Sequence, residues 1–357
     1  MKAVTVTPGK SQSATLREVP TPAPSRGEVL VKLIQVGLDG TDAEIDEGLY
    51  GEAPAGEDSL ILGHESLGQV ERVETGVQEF APGDLVVATV RRPGDCLNCQ
   101  AGESDMCLDG RYTERGIKGR HGFMAEYYVE APEFLVKLPP RFKGFGVLLE
   151  PMTIVEKGIA QSLDIQKRMR WNPERALVLG AGTIGLFAAL VLRNLGLEVT
   201  VVGREDPDVP SLRLELLRAI GARYLSSVRS PILELPRRLG NLDLILEATG
   251  SSQVVFDAMQ VLGTNGVLCL MGITGGTRTI SIPADRINLE MVLGNKVVFG
   301  SVNANRRYFE LGVQHFGEFE EKWPGLLSRL ITQRLPLDRF REGLERRREH
   351  IKVVLEV

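Results

Sequence analysis

Six residues, Gly180-Ala181-Gly182-Thr183-Ile184-Gly185, constrain this chain more than any others. They follow the apolar run 176–179 and open a helical stretch, 183–194, so the glycines stand where a strand turns into a helix. There Gly180 permits the tight turn, Gly182 lets the backbone approach a pyrophosphate, and Gly185 lets the helix pack against the strand. Thr183 and Ile184 start a helix whose free N–H groups would receive the phosphates. The plainer reading is a simple glycine turn. Strand-like runs at 199–202, 242–247, 267–271 and 297–300 alternate with helical segments, the pattern of a doubly wound parallel sheet with helices on its faces.

The end of the second strand reads Val201-Val202-Gly203-Arg204-Glu205-Asp206. Arg204 is placed to meet a 2′-phosphate, which favours NADP. Glu205 and Asp206 follow closely and would either serve NAD or repel the phosphate. The expectation is NADP with NAD tolerated; an ordinary solvated Arg204 is the alternative.

Three domain segments are expected: 1–150, 151–302 and 303–357. The first has short β-type runs at 29–36, 66–73 and 84–90, with Pro82-Gly83-Asp84 as a turn. The texture changes at Glu150-Pro151, where a helix over 153–163 begins the second. The third carries a helix at 306–315 and a β-type run at 351–357, expected to return to the first domain. A length of 357 residues accommodates two domains with cores of their own. With 43% hydrophobic and 25% charged residues the chain has an ordinary globular composition. A net charge of −5 lends no support to nucleic-acid binding. The start, MKAVTVTPGK, has no apolar targeting segment, and no run of about 18 apolar residues occurs. The expected setting is therefore the cytoplasm, away from membranes.

Three separated segments each carry a residue able to bind zinc: Asp39 in Gly37-Leu38-Asp39-Gly40-Thr41-Asp42, His64 in Gly63-His64-Glu65, and Glu150 in Leu149-Glu150-Pro151. An open zinc site needs about three such ligands plus a position for substrate. Spacing alone does not bring them together: Asp39 could sit in a turn, His64 be a satisfied polar side chain, and Glu150 lie on a surface. Cys96, Cys99 and Cys107 cluster within twelve residues, a metal signal in a reducing compartment; Cys269 lies apart in an apolar run. His121 precedes a glycine turn, and His315 and His350 show no partner pattern. Arg346-Arg347-Arg348, amid Glu342, Glu345 and Glu349, reads as a solvated helix face.

Gly63-His64-Glu65, the later glycine motif and the cysteine cluster together resemble the zinc-containing medium-chain alcohol dehydrogenases, and within them the archaeal-type glucose 1-dehydrogenases. Gly40-Thr41-Asp42, Val90-Arg91-Arg92-Pro93, Glu114-Arg115-Gly116-Ile117, Gly122-Phe123-Met124-Ala125-Glu126, Glu150-Pro151-Met152 and Gly300-Ser301-Val302-Asn303 extend the likeness over essentially the whole chain. The resemblance implies a GroES-like β-rich catalytic domain and a Rossmann domain. It implies a catalytic zinc on Asp39, His64 and Glu150, with Glu65 beside it or exchanging onto it. Thr41 would relay a proton, and Thr41, Glu114, Glu150 and Asn303 would hold sugar. Gly180, Gly182, Thr183, Ile184, Gly185, Arg204, Thr249 and Asn303 would hold NADP. The implied activity is oxidation of the C1 hydroxyl of glucose or another aldose to the lactone. A polyol or simple alcohol dehydrogenase of the same family, or a non-catalytic NADP-binding protein, are the alternatives. Relatives suggest a homo-dimer or homo-tetramer.

Two positions depart from the family pattern. Asp39 stands where most members have Cys, and Pro93 stands where the first of four lobe cysteines is expected. Three thiolates hold zinc only if a fourth group arrives. Asp95 is the nearby candidate; otherwise the three are ordinary thiols.

Overall fold

The Val29–Leu38 strand is apolar along almost its whole length, as expected for a strand covered on both faces, and it organises the first unit. A computed structural model describes residues 1–345 and 347–357. The chain divides into a unit of Met1–Pro151, Asn303–Gln314 and Leu327–Val357, and a second of Met152–Val302 and His315–Leu326.

In the first unit Val29–Leu38 pairs antiparallel with Glu65–Val73, Tyr127–Glu130 and the final strand, Lys352–Glu356. Leu85–Ala88 and Leu135–Leu138 extend the sheet on one side, and Ile331–Pro336 on the other. Val31, Leu33, Val36, Leu62, Phe123, Met124 and Leu355 pack in its core. The last strand thus completes the sheet begun by residue 29.

The second unit is a six-stranded parallel sheet. Its spatial order is Arg223–Ser226, Glu198–Gly203, Arg175–Leu179, Leu244–Glu247, Val267–Leu270, Val297–Gly300. The first strand in sequence is third in space, and the order reverses beside it. Ligands of doubly wound sheets bind at this switch point, off the carboxyl ends of the strands. The helix after the first strand spans Thr183–Asn194. The strand Arg223–Ser226 has no counterpart in the sequence reading, because an edge strand of sequence RYLS shows no apolar run.

Residues 315–326 cluster with the second unit, whereas the whole of 303–357 was expected in one segment. The helix there runs Arg306–Lys322, and its later half buries Phe316 and Phe319 and sets His315 Nδ1 2.7 Å from Glu156 Oε1. That buried pair was not visible in the sequence. The helix Phe340–Leu344 ends before the arginine run. Arg347 pairs with Glu345 at 2.9 Å in irregular chain rather than on a helix face, and Arg346 lies outside the described residues.

Candidate metal centre and dinucleotide site

Strand register assembles the centre. Gly37 lies opposite Glu65 on one side and Val354 on the other, so Asp39, His64, Glu65 and Lys352 come to one end of the sheet. Asp39 leaves the strand and caps the helix Gly40–Asp46. Its Oδ1 accepts from Thr41 N–H at 2.7 Å, and its own N–H donates to Asp42 Oδ2 at 3.1 Å, a reciprocal capping box. Thr41 Oγ1 donates to Asp39 Oδ2 at 3.3 Å.

His64 is buried between two acids. Its Nε2 is 3.7 Å from Asp39 Oδ2 and its Nδ1 is 3.8 Å from Asp42 Oδ1, both too long for hydrogen bonds. His64 Nδ1 and Asp42 Oδ1 have no hydrogen-bond partner among the described residues. One ligand atom each from Asp39, His64 and Glu65 lies within 4.8 Å of the others. Glu150, in the first turn of the helix Leu149–Ile165, is buried in the field of the same group but outside that trio. The gathering of carboxylates, Glu65 and Glu150 buried and Asp39 partly open to solvent, around an imidazole with an unpartnered nitrogen fits a divalent cation of the zinc type.

One buried cation offsets this negative charge. Lys352 pairs with the Glu65 carboxylate, both side chains almost wholly enclosed. The pair crosses directly over Gly37, where any Cβ would collide with Glu65 Oε2 and stand 2.9 Å from Lys352 Cε. Only glycine leaves that passage. The electrostatics follow from the burial. Burial pushes Glu150 up, Glu65 and Asp39 add to it, and His64 and Lys352 oppose it, leaving its carboxyl at about 8. Burial likewise raises Glu65 against the pull of Lys352. Burial would raise Asp39 too, yet the His64 and Lys352 charges hold it far below the usual carboxylate range. Burial disfavours a charged His64, but Asp39 and Asp42 outweigh it and raise its pKa well above the ordinary value.

A second polar group surrounds Glu114. It lies in the short strand Thr113–Arg115, paired in register with Arg91. Glu114 Oε1 accepts from Arg91 Nε at 3.0 Å, Arg91 Nη2 at 2.9 Å and Asn303 Nδ2 at 2.8 Å. The Arg91 guanidinium stacks 3.7 Å from the Tyr112 ring centre. Asn303 adopts φ 57°, a left-handed conformation that asparagine tolerates, and its Oδ1 accepts from Ala304 N–H. One carboxylate oxygen is thus saturated, which orients the other. His121 is structural: its Nδ1 accepts from Ile61 N–H and its Nε2 lies 3.0 Å from Glu57 Oε2.

In the second unit Gly180 turns with φ 113° and donates its N–H to Val202 O at 2.9 Å, tying the glycine loop to the neighbouring strand. Gly182 caps the helix without a side-chain hydrogen bond, and a Cβ there would meet nothing within 4 Å. The helix N-terminus beside it, with Thr183 and Ile184 in its first turn, is therefore open to a phosphate. At Gly185 a Cβ would strike the Gly180 carbonyl. Thr249 stands beside the turn, its N–H and hydroxyl both donating to Glu247 Oε1. Arg204 is exposed and makes no ion pair or hydrogen bond among the described residues.

The sulfurs of Cys96, Cys99 and Cys107 also lie within 4.8 Å of one another. Backbone N–H groups of Leu108 and Cys99 pull the Cys96 thiol down to about 7. The carboxylate next to the cluster belongs to Asp109, whose Oδ1 is 3.2 Å from Cys107 Sγ. Neither Asp95 nor Asp109 joins the three sulfurs within that distance; the turn after Cys107 sets Asp109 beside that one thiol.

Residues 143–357 match the family described as glucose dehydrogenase C-terminus, and residues 25–140 match the alcohol dehydrogenase GroES-like domain. The chain is 48% identical to glucose 1-dehydrogenase of Methanocella arvoryzae, over 100% of this chain and 99% of that one. It is 43% identical to glucose 1-dehydrogenase of Thermoproteus tenax, again over 100% and 99%. Among solved structures it resembles Haloferax mediterranei glucose dehydrogenase in complex with NADP, Zn and gluconolactone, with a TM-score of 0.91, 34% identity and coverage of 100% and 99%.

The chain belongs to the zinc-type medium-chain alcohol dehydrogenases.

Lys352, Gly37 and Asp42 all shape this centre, and the sequence alone gave none of them a role in it. Lys352 is 287 residues from Glu65, and nothing local marks it. Tyr50, near Thr41 and with its phenol pushed up to about 12 by burial, was equally invisible. The grip of Arg91 on Glu114 is a product of strand register.

Proposed function

We propose that this chain is an NADP-dependent glucose 1-dehydrogenase that oxidises the C1 hydroxyl of D-glucose, or a related aldose, to the lactone. The observation that carries the reading is the convergence of Asp39, His64 and Glu65 on one point, in a chain similar from end to end to enzymes of that name. Asp39, His64 and Glu150 would hold the zinc, with Glu65 kept beside it by Lys352. A zinc held there would lower the pKa of the sugar C1 hydroxyl, and a bound nicotinamide would supply the hydride acceptor. Thr41 would relay the hydroxyl proton, its Oγ1 accepting it while giving up its own toward solvent, with Tyr50 beside it. Glu114, held by Arg91 and Asn303, presents its remaining oxygen to sugar hydroxyls. Gly180, Gly182, Thr183, Ile184, Gly185, Thr249 and Arg204 would bind NADP, with NAD accepted less well. A second zinc would sit on Cys96, Cys99, Cys107 and Asp109. The thiol cluster suits a reducing compartment, consistent with the cytoplasm.

Metal analysis and a substrate panel test these assignments together. Purified protein should carry two zinc ions per chain, and Cys107→Ser should lower this to one. NADPH should form with glucose, stop when a chelator strips the catalytic ion, and return with added zinc. Tight NADP binding without turnover of any aldose, alcohol or polyol would exclude an enzymatic role. Faster turnover of simple alcohols than of glucose would favour the plain alcohol dehydrogenase.

We further assign a homo-oligomer. The Val297–Gly300 strand is one edge of the parallel sheet, and the preceding helix Ala284–Leu293 exposes Leu289, Val292 and Leu293 on one face at 57%, 67% and 72%. An unpaired edge beside an apolar stripe suits a second copy of the same edge related by a two-fold axis. Light scattering should show at least a dimer, and Val292→Asp with Leu293→Glu should yield monomers. A wild-type monomer at micromolar concentration defeats this assignment.

A further inference from the structure

The acid that follows the second strand of the parallel sheet is withheld from the cofactor. In NAD enzymes of this fold an acid near this point accepts the ribose 2′-OH and repels a 2′-phosphate. Glu205 stands one residue beyond Arg204, yet both its carboxylate oxygens are committed. Ser211 Oγ donates to Oε2, and Arg213 Nη1 donates to Oε1 at 3.0 Å. The arrangement is built, not incidental. Ser211 is the N-cap of the helix Leu212–Ala219, so its hydroxyl accepts from Leu214 N–H while it donates to Glu205. Arg213 lies in the first turn of that helix, where the helix dipole disfavours a cation. Its side chain is only 13% exposed, and Glu205 supplies the opposite charge that keeps it there.

The backbone beneath is clamped as well. Tyr224 Oη accepts from Glu205 N–H at 2.8 Å and donates to the Glu205 carbonyl at 3.1 Å. At Gly203 a Cβ would come within 2.8 Å of Tyr224 Oη and 2.9 Å of Ala181 Cβ, the latter part of the glycine loop itself. The turn that carries Arg204 is therefore fixed against the loop that seats the pyrophosphate. The next acids are also held: Arg229 takes Asp206 and Asp208, each at 2.7 Å. Arg204 is thus left as an uncommitted cation in a turn whose acids are each paired.

We infer that Arg213 is a specificity-determining residue: by holding Glu205 it makes the turn after the second strand accept a 2′-phosphate in place of a ribose 2′-hydroxyl. It acts through Glu205 and is a positioning residue. The inference rests on the NADP reading above, but its test needs neither zinc nor glucose turnover. A wrong sugar assignment would leave it standing.

The experiment is calorimetric titration of the full-length enzyme with 2′,5′-ADP and with 5′-AMP. Arg213→Gln should weaken 2′,5′-ADP by about tenfold, the scale of one charged hydrogen bond, while 5′-AMP holds or tightens. Arg213→Lys should keep most of the preference. Glu205→Gln should tighten 2′,5′-ADP several-fold, and the double variant should lose less than Arg213→Gln alone, because no free carboxylate remains. In turnover assays the loss for Arg213→Gln should fall on KM for NADP, not on kcat. Equal weakening of both nucleotides, or no change in either, overturns the inference. Should Arg213→Gln not fold, Glu205→Gln decides by itself: unchanged or weaker 2′,5′-ADP binding overturns it.

Discussion

His64→Ala is expected to reduce glucose turnover by about a thousandfold or more while NADP binding stays near wild type. The size follows from what the imidazole does. In the proposed centre it would be the nitrogen ligand in a set otherwise made of carboxylates, and it faces Asp39 at 3.7 Å with its other nitrogen unpartnered. Without it Asp39, Glu65 and Glu150 remain as oxygen donors with no fixed geometry, and zinc loses a ligand of matched type. Zinc supplies several kcal/mol of charge stabilisation to such a reaction, and each 1.36 kcal/mol is tenfold in rate. The variant should hold one zinc per chain instead of two, measured on dialysed protein, while NADP titration reports an intact second unit. Turnover within tenfold of wild type would remove His64 from the centre.

Lys352→Met is expected to be the most destabilising single change at the centre. The substitution keeps the side-chain length but leaves Glu65 buried and unpaired. Breaking a buried ion pair from one side costs about 3–5 kcal/mol, because the surviving charge has neither water nor partner. For a chain of this size that corresponds to a fall in Tm of roughly 4–7 °C. The loss should be largest in chelator-treated protein, since zinc gives a freed Glu65 something to bind. Adding Glu65→Gln should recover much of the stability, because a neutral amide is cheaper to bury than a charge. Thermal scans of the two variants with and without zinc decide the matter. A Lys352→Met protein that melts with the wild type would show the pair to be energetically idle.

Both predictions concern residues that the sequence reveals unequally. His64 was readable because it sits in Gly63-His64-Glu65, a local phrase shared with a known family. Lys352 was not, because the lysine sits in an ordinary β-type run, Ile351–Val357 in sequence terms, and acquires meaning only when Val353 and Val354 pair with Leu38 and Gly37. Asp109 illustrates the same limit. Nearness in sequence to Cys96 pointed to Asp95, whereas the turn after Cys107 sets Asp109 beside the Cys107 thiol. Glu205 was ambiguous by residue type alone, an acid that would serve NAD or repel a phosphate. Its partners Ser211 and Arg213 turn the ambiguity into a commitment.

What the sequence determined by itself was everything with a short period or a contiguous motif. The parallel sheet, the strand-to-helix turn at Gly180–Gly185 in numbering, and the identities of Asp39, His64 and Glu150 as candidates all rest on neighbours along the chain. Tertiary structure alone decided which acid stands with His64 and Asp39, which cation balances them, and which side chains keep Glu205 occupied. The physical reason is range. Backbone propensities and glycine geometry act over a few residues, whereas charge balance in a buried site acts through space and draws on strands hundreds of residues apart.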